Sequence, residues 1–413
     1  TAAAVHLRAR VGSPGAPFTG RYRLHVGPGS LLAPAVAVAV LAAVRAGVLQ
    51  RLGWRPLLVV GYAAALGWAL ALALADGRGG LADPVAAPEE YLRAVPAVGD
   101  DPLGFLRGFV AAAPSYSVAT RTHPPGPVLL LWALGKLGVT RPAALGLLIT
   151  AVGCLAVPLI AVSVRSLCHE SAARNLLPVL ALAPYALWIA VSMDGVALTL
   201  GAGFVALGVI GSEPGRRPWW AVGSGLLLGV AALFGYAVAW LGVSVLATYF
   251  MRRRPLLNVI TGAAALVPLV VFWLWGFTWP DGLTAAQADF SVRVGPHRSW
   301  LPWSFLDVLL LLLACGPALV TAARKVTLTP GWPFLVGAGL AVIFALASGM
   351  SRGEVERSWL AFYPWLLVPA VAPAGRPEVD ERGAAATGAV PLGLLALGAA
   401  AAVVVEAVLA STW

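Results

Sequence analysis

The sequence predicts an all-α fold, a polytopic bundle of transmembrane helices. Of the 413 residues, 60% are hydrophobic and only 11% are charged, whereas soluble proteins carry about 25% charged residues. Apolar runs of helical length recur along the whole chain, and short clusters of arginine separate many of them. A soluble domain of this size could not bury so much apolar surface, so the solvent of these helices must be lipid.

The apolar runs predict about twelve spans, because about 20 apolar residues cross the hydrocarbon core of a bilayer. The spans are 31–49, 56–75, 142–164, 175–192, 195–212, 218–235, 236–251, 256–277, 304–323, 332–349, 358–372 and 388–410. A polar segment at 1–30 precedes the module at 31–372, and a linker at 373–387 precedes a C-terminal transmembrane helix at 388–413. Because the chain starts at Thr1 without Met, we expect a truncated start and a missing upstream span or signal.

The run 127–138 sets the predicted topology. As a helix it would be only about 18 Å long, so we expect it to lie beside the membrane without crossing it. The basic clusters and the linker 373–387 then fall on one side, which the positive-inside rule makes cytoplasmic. These clusters are Arg51 and Arg55, Arg165 and Arg174, Arg216 and Arg217, Arg252 to Arg254, Arg324 and Lys325, and Arg376 and Arg382. The long polar loop 76–141 falls on the outer side of a membrane that we predict to be the bacterial cytoplasmic membrane.

The net charge of +10 does not indicate a nucleic-acid partner, since the arginines form no continuous basic face. Membrane lipid is the partner that the composition predicts. The three cysteines show no CxxC or Cys/His spacing, which argues against both a disulfide framework and a zinc site.

Carboxylates in the long loop are the first candidates for chemistry. Asp83, Glu89 and Glu90 lie just outside the predicted membrane edge. A carboxylate there can act as a general base and take the proton from a hydroxyl group that attacks a lipid-linked donor. The alternative is a solvated loop with ordinary surface acids.

The same loop ends in a basic and proline-rich element, Arg121 followed by 122–127 (THPPGP). Two prolines exclude helix until the short helix starts, which places His123 at its entrance. A phosphate at that entrance would meet unpaired backbone donors and the positive end of the helix dipole. The alternative is a helix-entry turn with an incidental histidine.

Asp194 stands alone between two apolar helices. An acid at the membrane edge is costly and predicts a functional site, although an aspartate is also a good N-cap for the helix 195–212. Both interpretations stay open.

A charged turn at 352–357 contains Arg352, Glu354, Glu356 and Arg357. The arginine fork suits a phosphate or pyrophosphate. The alternative is a turn closed by its own ion pairs, with Glu354 and Arg357 pairing at i,i+3. The outer loop 277–303 adds Arg293 and aromatic residues, which suit a sugar face or an interfacial belt.

In their order along the chain, these motifs resemble the GT-C superfamily of polytopic glycosyltransferases, which includes protein mannosyltransferases and the aminoarabinose transferases of lipid A. The segments 90–96 (EYLRAVP), 122–127 (THPPGP) and 353–360 (GEVERSWL) look like actinobacterial integral membrane proteins of that superfamily whose substrates are mostly unassigned. The resemblance covers most of the chain from about residue 31.

The resemblance implies an inverting sugar transfer from a polyprenyl-phosphate donor to a glycan, lipid or protein acceptor at the outer face. Glu90 best matches the superfamily's first-loop acid, with Asp83, Glu89 and Asp76 as rivals, because the usual Asp-Glu pair is absent. Asp194 matches its second acid and His123 its His-Pro-Pro position. Some members use a divalent cation, Mg²⁺ or Mn²⁺, and Asp194 would order either the sugar or such a metal here. The sequence specifies neither the sugar, nor the acceptor, nor the oligomeric state.

Two alternatives come from other functional classes. Twelve spans also suit a transporter or flippase, but transporters usually carry polar groups at the bilayer midplane and internal repeats. Here the predicted spans have almost no ionisable residues near their midpoints, and the charged residues lie at one face of the membrane. The other alternative is a GT-C homologue without activity that binds a lipid-linked sugar.

Overall fold

The computed structural model describes residues 16–18, 20–373 and 388–411, with the backbone alone at 78, 410 and 411. The predicted all-α class is confirmed, because the described chain is mostly helical and contains almost no strand. Two short strands, Gly20–Tyr22 and Leu409–Ser411, pair antiparallel within it. The predicted linker lies outside the described residues from 374 onward.

The longer α-helices are Leu32–Arg45, Trp54–Ala73, Pro102–Ala112, Gly126–Lys136, Pro142–Cys154, Ala156–Leu167, Glu170–Ala181, Met193–Gly211, Trp219–Ala232, Gly242–Met251, Leu256–Leu274, Trp279–Arg293, Trp300–Cys315, Trp332–Ser348 and Leu392–Val408. One-turn and two-turn α-helices lie at Val48–Arg51, Asp83–Ala86, Val95–Val98, Val118–Thr122, Ala318–Arg324, Val355–Ser358 and Tyr363–Leu366. The 3-10 helices are Pro28–Leu31, Leu74–Leu81, Tyr91–Ala94, Ala113–Ser115, Pro184–Trp188, Tyr236–Leu241 and Val368–Val371.

The chain is a multi-pass membrane protein. In the described part, five helices are long and apolar enough to cross a bilayer, and a bent pair would make a sixth. The five are Pro28–Arg45, Trp54–Gly77, Pro142–Leu167, Met193–Gly211 and Leu256–Leu274. Shorter apolar helices include Trp219–Ala232, Trp332–Ser348 and Leu392–Val408. The predicted total of twelve spans stays a prediction.

Two predicted spans are not straight helices. The run 175–192 consists of Glu170–Ala181 followed by the 3-10 helix Pro184–Trp188. The run 304–323 bends by 102° between Cys315 and Ala318. Proline explains both interruptions, because Pro184 and Pro317 lack the N–H that would continue a helix. Gly316 adds a φ of 66°, a conformation that favours glycine.

The predicted span 358–372 is a series of short turns, with Pro364 and Pro369 breaking the helix. Trp359, Tyr363 and Trp365 in it are at most 2% exposed. Irregular backbone at membrane depth is tolerated where protein surrounds it. This segment therefore passes through the core of the bundle and does not face lipid.

Two further segments contain structure that the sequence did not predict. The predicted outer loop 277–303 contains a helix, Trp279–Arg293. The predicted C-terminal helix ends at Val408 and continues as a strand that pairs with Gly20–Tyr22. The backbone pairing continues beyond the first strand, since the N–H of His25 donates to the carbonyl oxygen of Ala407. The N-terminal segment is thereby tied to the last helix.

The helix Met193–Gly211 is mostly buried and connects the two ends of the bundle. Its 19 residues extend about 28 Å. Asp194 lies at one end, while Arg254 bonds the carbonyl of Gly211 at the other. We call these the site end, with Glu90, His123, Asp194 and Arg357, and the basic end, with residues 49–55, 165–174, 211–217 and 252–254.

The long first loop is a folded cap on the site end. Tyr91, Phe105, Phe109, Val128 and Phe277 form a separate buried cluster there. The helix Gly126–Lys136 belongs to this cap: Trp132 Nε1 donates to Gly99 O, and Lys136 pairs with Asp100. Packing of the cap thus fixes where the loop acids and His123 lie.

Candidate functional site

Arg357 is the centre of a buried charge network. Its Nη1 donates to Glu90 Oε1 at 2.5 Å, and its Nε donates to Asp194 Oδ2 at 2.8 Å. The three side chains are between 9% and 12% exposed. Burial would lower the pKa of the guanidinium, but the two carboxylates outweigh it and hold that pKa well above its usual value. The network therefore joins three segments that are far apart in sequence.

Local structure holds each acid of this network. Glu90 is the extended residue before the 3-10 helix Tyr91–Ala94, and Tyr91 is 2% exposed. Ser192 caps the helix Met193–Gly211 and accepts from Asp194 N. The Ser192 hydroxyl also donates to Asp194 Oδ2 at 3.0 Å. The interpretation of Asp194 as the N-cap is wrong, since Ser192 holds that position and the carboxylate faces Arg357.

Arg357 itself projects from the one-turn helix Val355–Ser358. Gly353 and Glu354 before it have φ values of 95° and 62°. Glu354 lies 3.9 Å from Arg298 Nη1. The ion pairs described for Arg357 are those with Glu90 and Asp194, and the predicted i,i+3 pair with Glu354 stays a prediction.

His123 completes the network on the cap side. Its Nε2 lies 3.8 Å from Asp194 Oδ1, and its Nδ1 lies 2.9 Å from Ala119 O. The ring meets Tyr91 edge-on at 5.8 Å between centroids. An Nδ1–H that donates to Ala119 O directs Nε2 toward Asp194 and the space beside it.

The predicted anion site at the start of the helix Gly126–Lys136 is wrong. Gly126 N donates to Leu233 O at 3.0 Å, and Pro127 has no N–H. A Cβ at Gly126 would lie 2.3 Å from that same oxygen. Glycine therefore allows a close backbone contact here, and the helix entrance is filled by protein.

Two cavities meet at Arg357, which lines both of them. The first cavity is about 470 Å³ and the second is about 270 Å³. Glu90 lines the first, whereas His123 and Asp194 line the second. The ion-pair network therefore forms part of the wall between them.

The two cavities differ in charge. The first carries four carboxylates and two arginines, namely Asp76, Asp83, Glu90, Glu406, Arg23 and Arg357. The second carries four arginines and three carboxylates, namely Arg121, Arg298, Arg352, Arg357, Asp194, Asp289 and Glu354. An anion is favoured in the second cavity, and groups that donate hydrogen bonds are favoured in the first.

Most predicted site residues line these cavities, but they differ in their contacts. Arg121 lines the second cavity and donates through Nε to Asp289 at 3.0 Å. Arg352 also lines it, yet its donors serve the carbonyl groups of Gly349, Gly295 and Arg298. Arg352 thus holds the turn together.

Three predicted site residues lie off the network. Asp83 lines the first cavity and is exposed. Among the predicted first-loop acids, Glu90 is the one that pairs with Arg357. Arg293 is half-exposed, pairs with Asp289, and lies outside the walls of both cavities as described.

Glu356 is 2% exposed and does not line either of these two cavities, so its role in substrate binding stays a prediction. Its carboxyl group points into the protein near Asp307. Burial, together with the charges of Glu354 and Asp307, raises the pKa of Glu356 to about 8.

Sequence reasoning did not place several residues that line the cavities. Arg298, Asp289 and Tyr236 line the second cavity, and Arg23 and Glu406 line the first. The sequence did offer an indication for Arg298 and Asp289, because both are charged residues in a segment predicted to lie outside the membrane. Arg23 and Glu406 gave none, because the strand pair that brings the chain ends together was not predicted.

Ligands for a cation do not converge at the central network. Glu90 and Asp194 both direct an oxygen at the Arg357 guanidinium, so the pair fits an arginine better than a metal ion. In the described chain, His25, Asp76 and Glu406 do converge, on the far wall of the first cavity.

No protein-family model matches the chain, and no curated protein matches it in sequence. Its structure is similar to that of ArnT from Cupriavidus metallidurans in the apo state, with 18% identity over 66% of this chain and 54% of that chain (TM-score 0.45). The same enzyme bound to undecaprenyl phosphate gives 17% identity over 64% and 54% (TM-score 0.44).

The Archaeoglobus fulgidus oligosaccharyltransferase tethered with an acceptor peptide is also similar, with 12% identity over 84% of this chain and 54% of that chain (TM-score 0.47). These neighbours are GT-C glycosyltransferases, and this chain spans about half their length. With identities below 20% and TM-scores below 0.5, function has to be argued from the residues of this chain.

Proposed function

We propose that this protein is a GT-C glycosyltransferase, which moves a sugar from a polyprenyl-phosphate donor to a hydroxyl group of a glycan, lipid or protein. The observation that carries the proposal is the buried Glu90–Arg357–Asp194 network between an acidic and a basic cavity. This arrangement puts a carboxylate that can act as a base, Glu90, next to a cation that can bind a phosphate, Arg357. It also leaves one cavity for the donor and one for the acceptor.

The donor phosphate belongs in the second cavity. Four arginines line it, and the planar guanidinium matches the oxygens of a phosphate in pairs. Arg121 uses its Nε and Nη1 for protein contacts, which leaves further donors on the same fork. Arg357 and His123 line this cavity together with Asp194, and the bond between sugar and phosphate would be cleaved beside them.

The acceptor belongs in the first cavity, where Glu90 is part of the wall. Hydroxyl groups donate hydrogen bonds to carboxylates, and this cavity is rich in carboxylates. Glu90 accepts from Arg357 through Oε1, and its second oxygen, Oε2, takes the proton. Glu89 lies one residue earlier and is the nearest rival in sequence.

The reaction is a single displacement. The acceptor oxygen forms a bond to the anomeric carbon as its proton passes to Glu90, and the bond from that carbon to the phosphate oxygen breaks. The electron pair leaves with the polyprenyl phosphate, whose new negative charge Arg357 stabilises. Attack and departure on opposite faces invert the anomeric carbon. Asp194 orients Arg357 and the sugar from the donor side.

We propose that this site lies on the outer face of a bacterial cytoplasmic membrane, and the distribution of arginines supports this orientation. Arg165, Arg174, Arg216, Arg252 and Arg254 lie at the basic end, opposite the network. By the positive-inside rule the basic end is cytoplasmic. A polyprenyl phosphate would then enter from the outer leaflet, where its chain stays in lipid.

The solved structures of similar proteins include one bound to undecaprenyl phosphate and one in complex with a dolichol-phosphate. For this chain the polyprenyl-phosphate donor is part of the proposal and follows from its own basic cavity. Some GT-C enzymes also use a divalent cation. The central network fits a guanidinium, so the displacement above uses only residues of this chain.

The test is transfer of a labelled sugar by the purified protein in lipid vesicles. A panel of polyprenyl-phosphate sugars is offered with lipid and glycan acceptors, and free polyprenyl phosphate is measured as the product. Glu90→Gln should lower the rate by about 10²- to 10⁴-fold, the usual contribution of a general base. Glu89→Gln is the matched control and should keep most of the activity.

Full activity in Glu90→Gln, or its loss in Glu89→Gln alone, would contradict the assignment of the base. Absence of transfer from every donor, together with movement of an intact lipid-linked sugar between leaflets, would contradict the enzyme and favour a flippase.

A further inference from the structure

The far wall of the first cavity holds a second group of functional side chains, separate from the Arg357 network. His25, Asp76 and Glu406 come from three different segments, and their ligand atoms lie within 4.8 Å of one another. Two carboxylates therefore face one imidazole in the wall of the cavity proposed for the acceptor, apart from Glu90 and Arg357.

Three packed elements place these side chains. Asp76 lies in the 3-10 helix Leu74–Leu81 at the end of a membrane span. Glu406 is in the last turn of the helix Leu392–Val408, and His25 N donates to Ala407 O beside it. The N-terminal segment also packs on the Asp76 turn, since a Cβ at Gly29 would lie 2.1 Å from Leu74 O.

The orientation of the His25 ring is suited to a metal. Its Nδ1 lies 3.0 Å from Arg23 O, an acceptor that selects the tautomer with the proton on Nδ1. The lone pair of Nε2 then faces Asp76, whose Oδ1 is 3.0 Å away. Metal-bound histidines usually donate their other N–H to a carbonyl or carboxylate in this way.

The Nε2 atom also lacks a hydrogen bond. It is inaccessible to solvent, and among the described residues it makes no hydrogen bond of acceptable geometry, despite its closeness to Asp76. An inaccessible nitrogen that faces two carboxylates is satisfied either by an ion pair of the protonated ring or by a shared cation. A shared cation would also bring in the second carboxylate, Glu406, whose ligand atom lies within 4.8 Å of those of His25 and Asp76.

We propose that His25, Asp76 and Glu406 bind a divalent transition-metal ion of the Mn²⁺ or Zn²⁺ type in the wall of the first cavity. One imidazole nitrogen with two carboxylate oxygens is a donor set that such ions accept. The ion offsets the two carboxylate charges, and its remaining coordination positions face the cavity. It also fastens the N-terminal segment, the first loop and the last helix to one another.

Metal binding can be measured without any sugar donor, so its outcome is separate from that of the transfer assay. The full chain, purified in detergent with its affinity tag removed and treated with chelator, is titrated with Mn²⁺. Loss of the signal of free Mn²⁺ in electron paramagnetic resonance reports binding. The wild type should bind one ion per chain, and Zn²⁺ should displace it.

Variants locate the ion. His25→Ala and Glu406→Gln should weaken Mn²⁺ binding by at least about tenfold. His169→Ala is the matched control, because His169 is at the basic end and contacts Ser171 there, and it should bind as the wild type does. Thermal unfolding without metal checks that each variant is folded.

A second measurement needs no variant. Pulsed electron paramagnetic resonance of wild-type protein with Mn²⁺ should show coupling to one ¹⁴N nucleus of an imidazole. Absence of that coupling, absence of saturable binding, or unchanged binding in His25→Ala would each overturn the proposal. Loss of binding in Asp194→Asn but not in His25→Ala would place the metal at the central network and would overturn it as well.

Discussion

The two ends of the bundle use the same residue, arginine, in different ways. At the basic end Arg252 and Arg254 bond the carbonyl groups of Val209, Gly211 and Glu213. These arginines satisfy the last carbonyls of a helix and interact with the negative end of its dipole. At the site end Arg357 instead bonds two carboxylates from distant segments. The basic-end arginines stabilise the fold by bonding carbonyl groups, whereas we propose that Arg357, beside both cavities, also binds an incoming anion.

Arg352 shows that position alone does not decide the role. It is close to Arg357 in sequence and lines the same cavity, yet its donors serve backbone carbonyls, as they do at the basic end. The comparison therefore predicts that Arg352 and the basic-end arginines act on stability alone, whereas Arg357 acts on the chemistry as well as on stability.

The largest expected effect is on the rate of transfer. Arg357→Lys should lower kcat by at least about 100-fold, because one ammonium group cannot replace a fork that bridges two carboxylates and a phosphate. Arg352→Lys, the matched variant, should change kcat only a few-fold. Steady-state assays of both in vesicles check this, and equal losses would remove the distinction between the two arginines.

The next effect is on stability at the site end. Arg357→Met leaves two buried carboxylates without a partner and should lower the free energy of unfolding by about 3–5 kcal/mol. Adding Glu90→Gln should restore part of it, since one of the charges is then gone. Denaturant unfolding of the single and double variants gives the coupling, and additive effects would show that Glu90 and Arg357 do not interact.

A smaller loss is expected at the basic end. Arg254→Met leaves helix carbonyls without donors and should lower the free energy of unfolding by about 1–3 kcal/mol. The transfer rate per folded molecule should stay unchanged. Unfolding curves and activity normalised to folded protein test this, and a loss of kcat would mean that the two ends are coupled.

The last expected effect depends on pH. The pKa of Glu356 is raised from 4.5 to about 8 by burial, so the folded state binds a proton that the unfolded state releases. Its contribution to stability is fully present below about pH 4.5 and is lost as the pH rises to about 8. Glu356→Gln should remove this decline. An unchanged pH profile in the variant would show that Glu356 is ionised in the fold.

Apolar runs were enough to predict the straight spans such as Trp54–Ala73 and Met193–Gly211. They could not show where a run breaks, because 358–372 is as apolar as a lipid-facing helix although it is buried among other helices. Pro317, Pro364 and Pro369 were the local signals of those breaks.

The members of the central network were predictable one by one, since each is a charge or histidine at the membrane edge. Their partners were not. Glu90 and Arg357 are 267 residues apart. The His25 group depends on contacts between the chain ends, which no periodicity in the sequence reveals.

The most direct test of the central claim is an electron cryo-microscopy structure of the purified protein with a polyprenyl phosphate. The phosphate should lie in the second cavity within hydrogen-bonding distance of Arg357, with Arg121 or His123 as a further contact and Glu90 on the opposite side of the wall. A phosphate in the first cavity, or one bound away from Arg357, would contradict the claim.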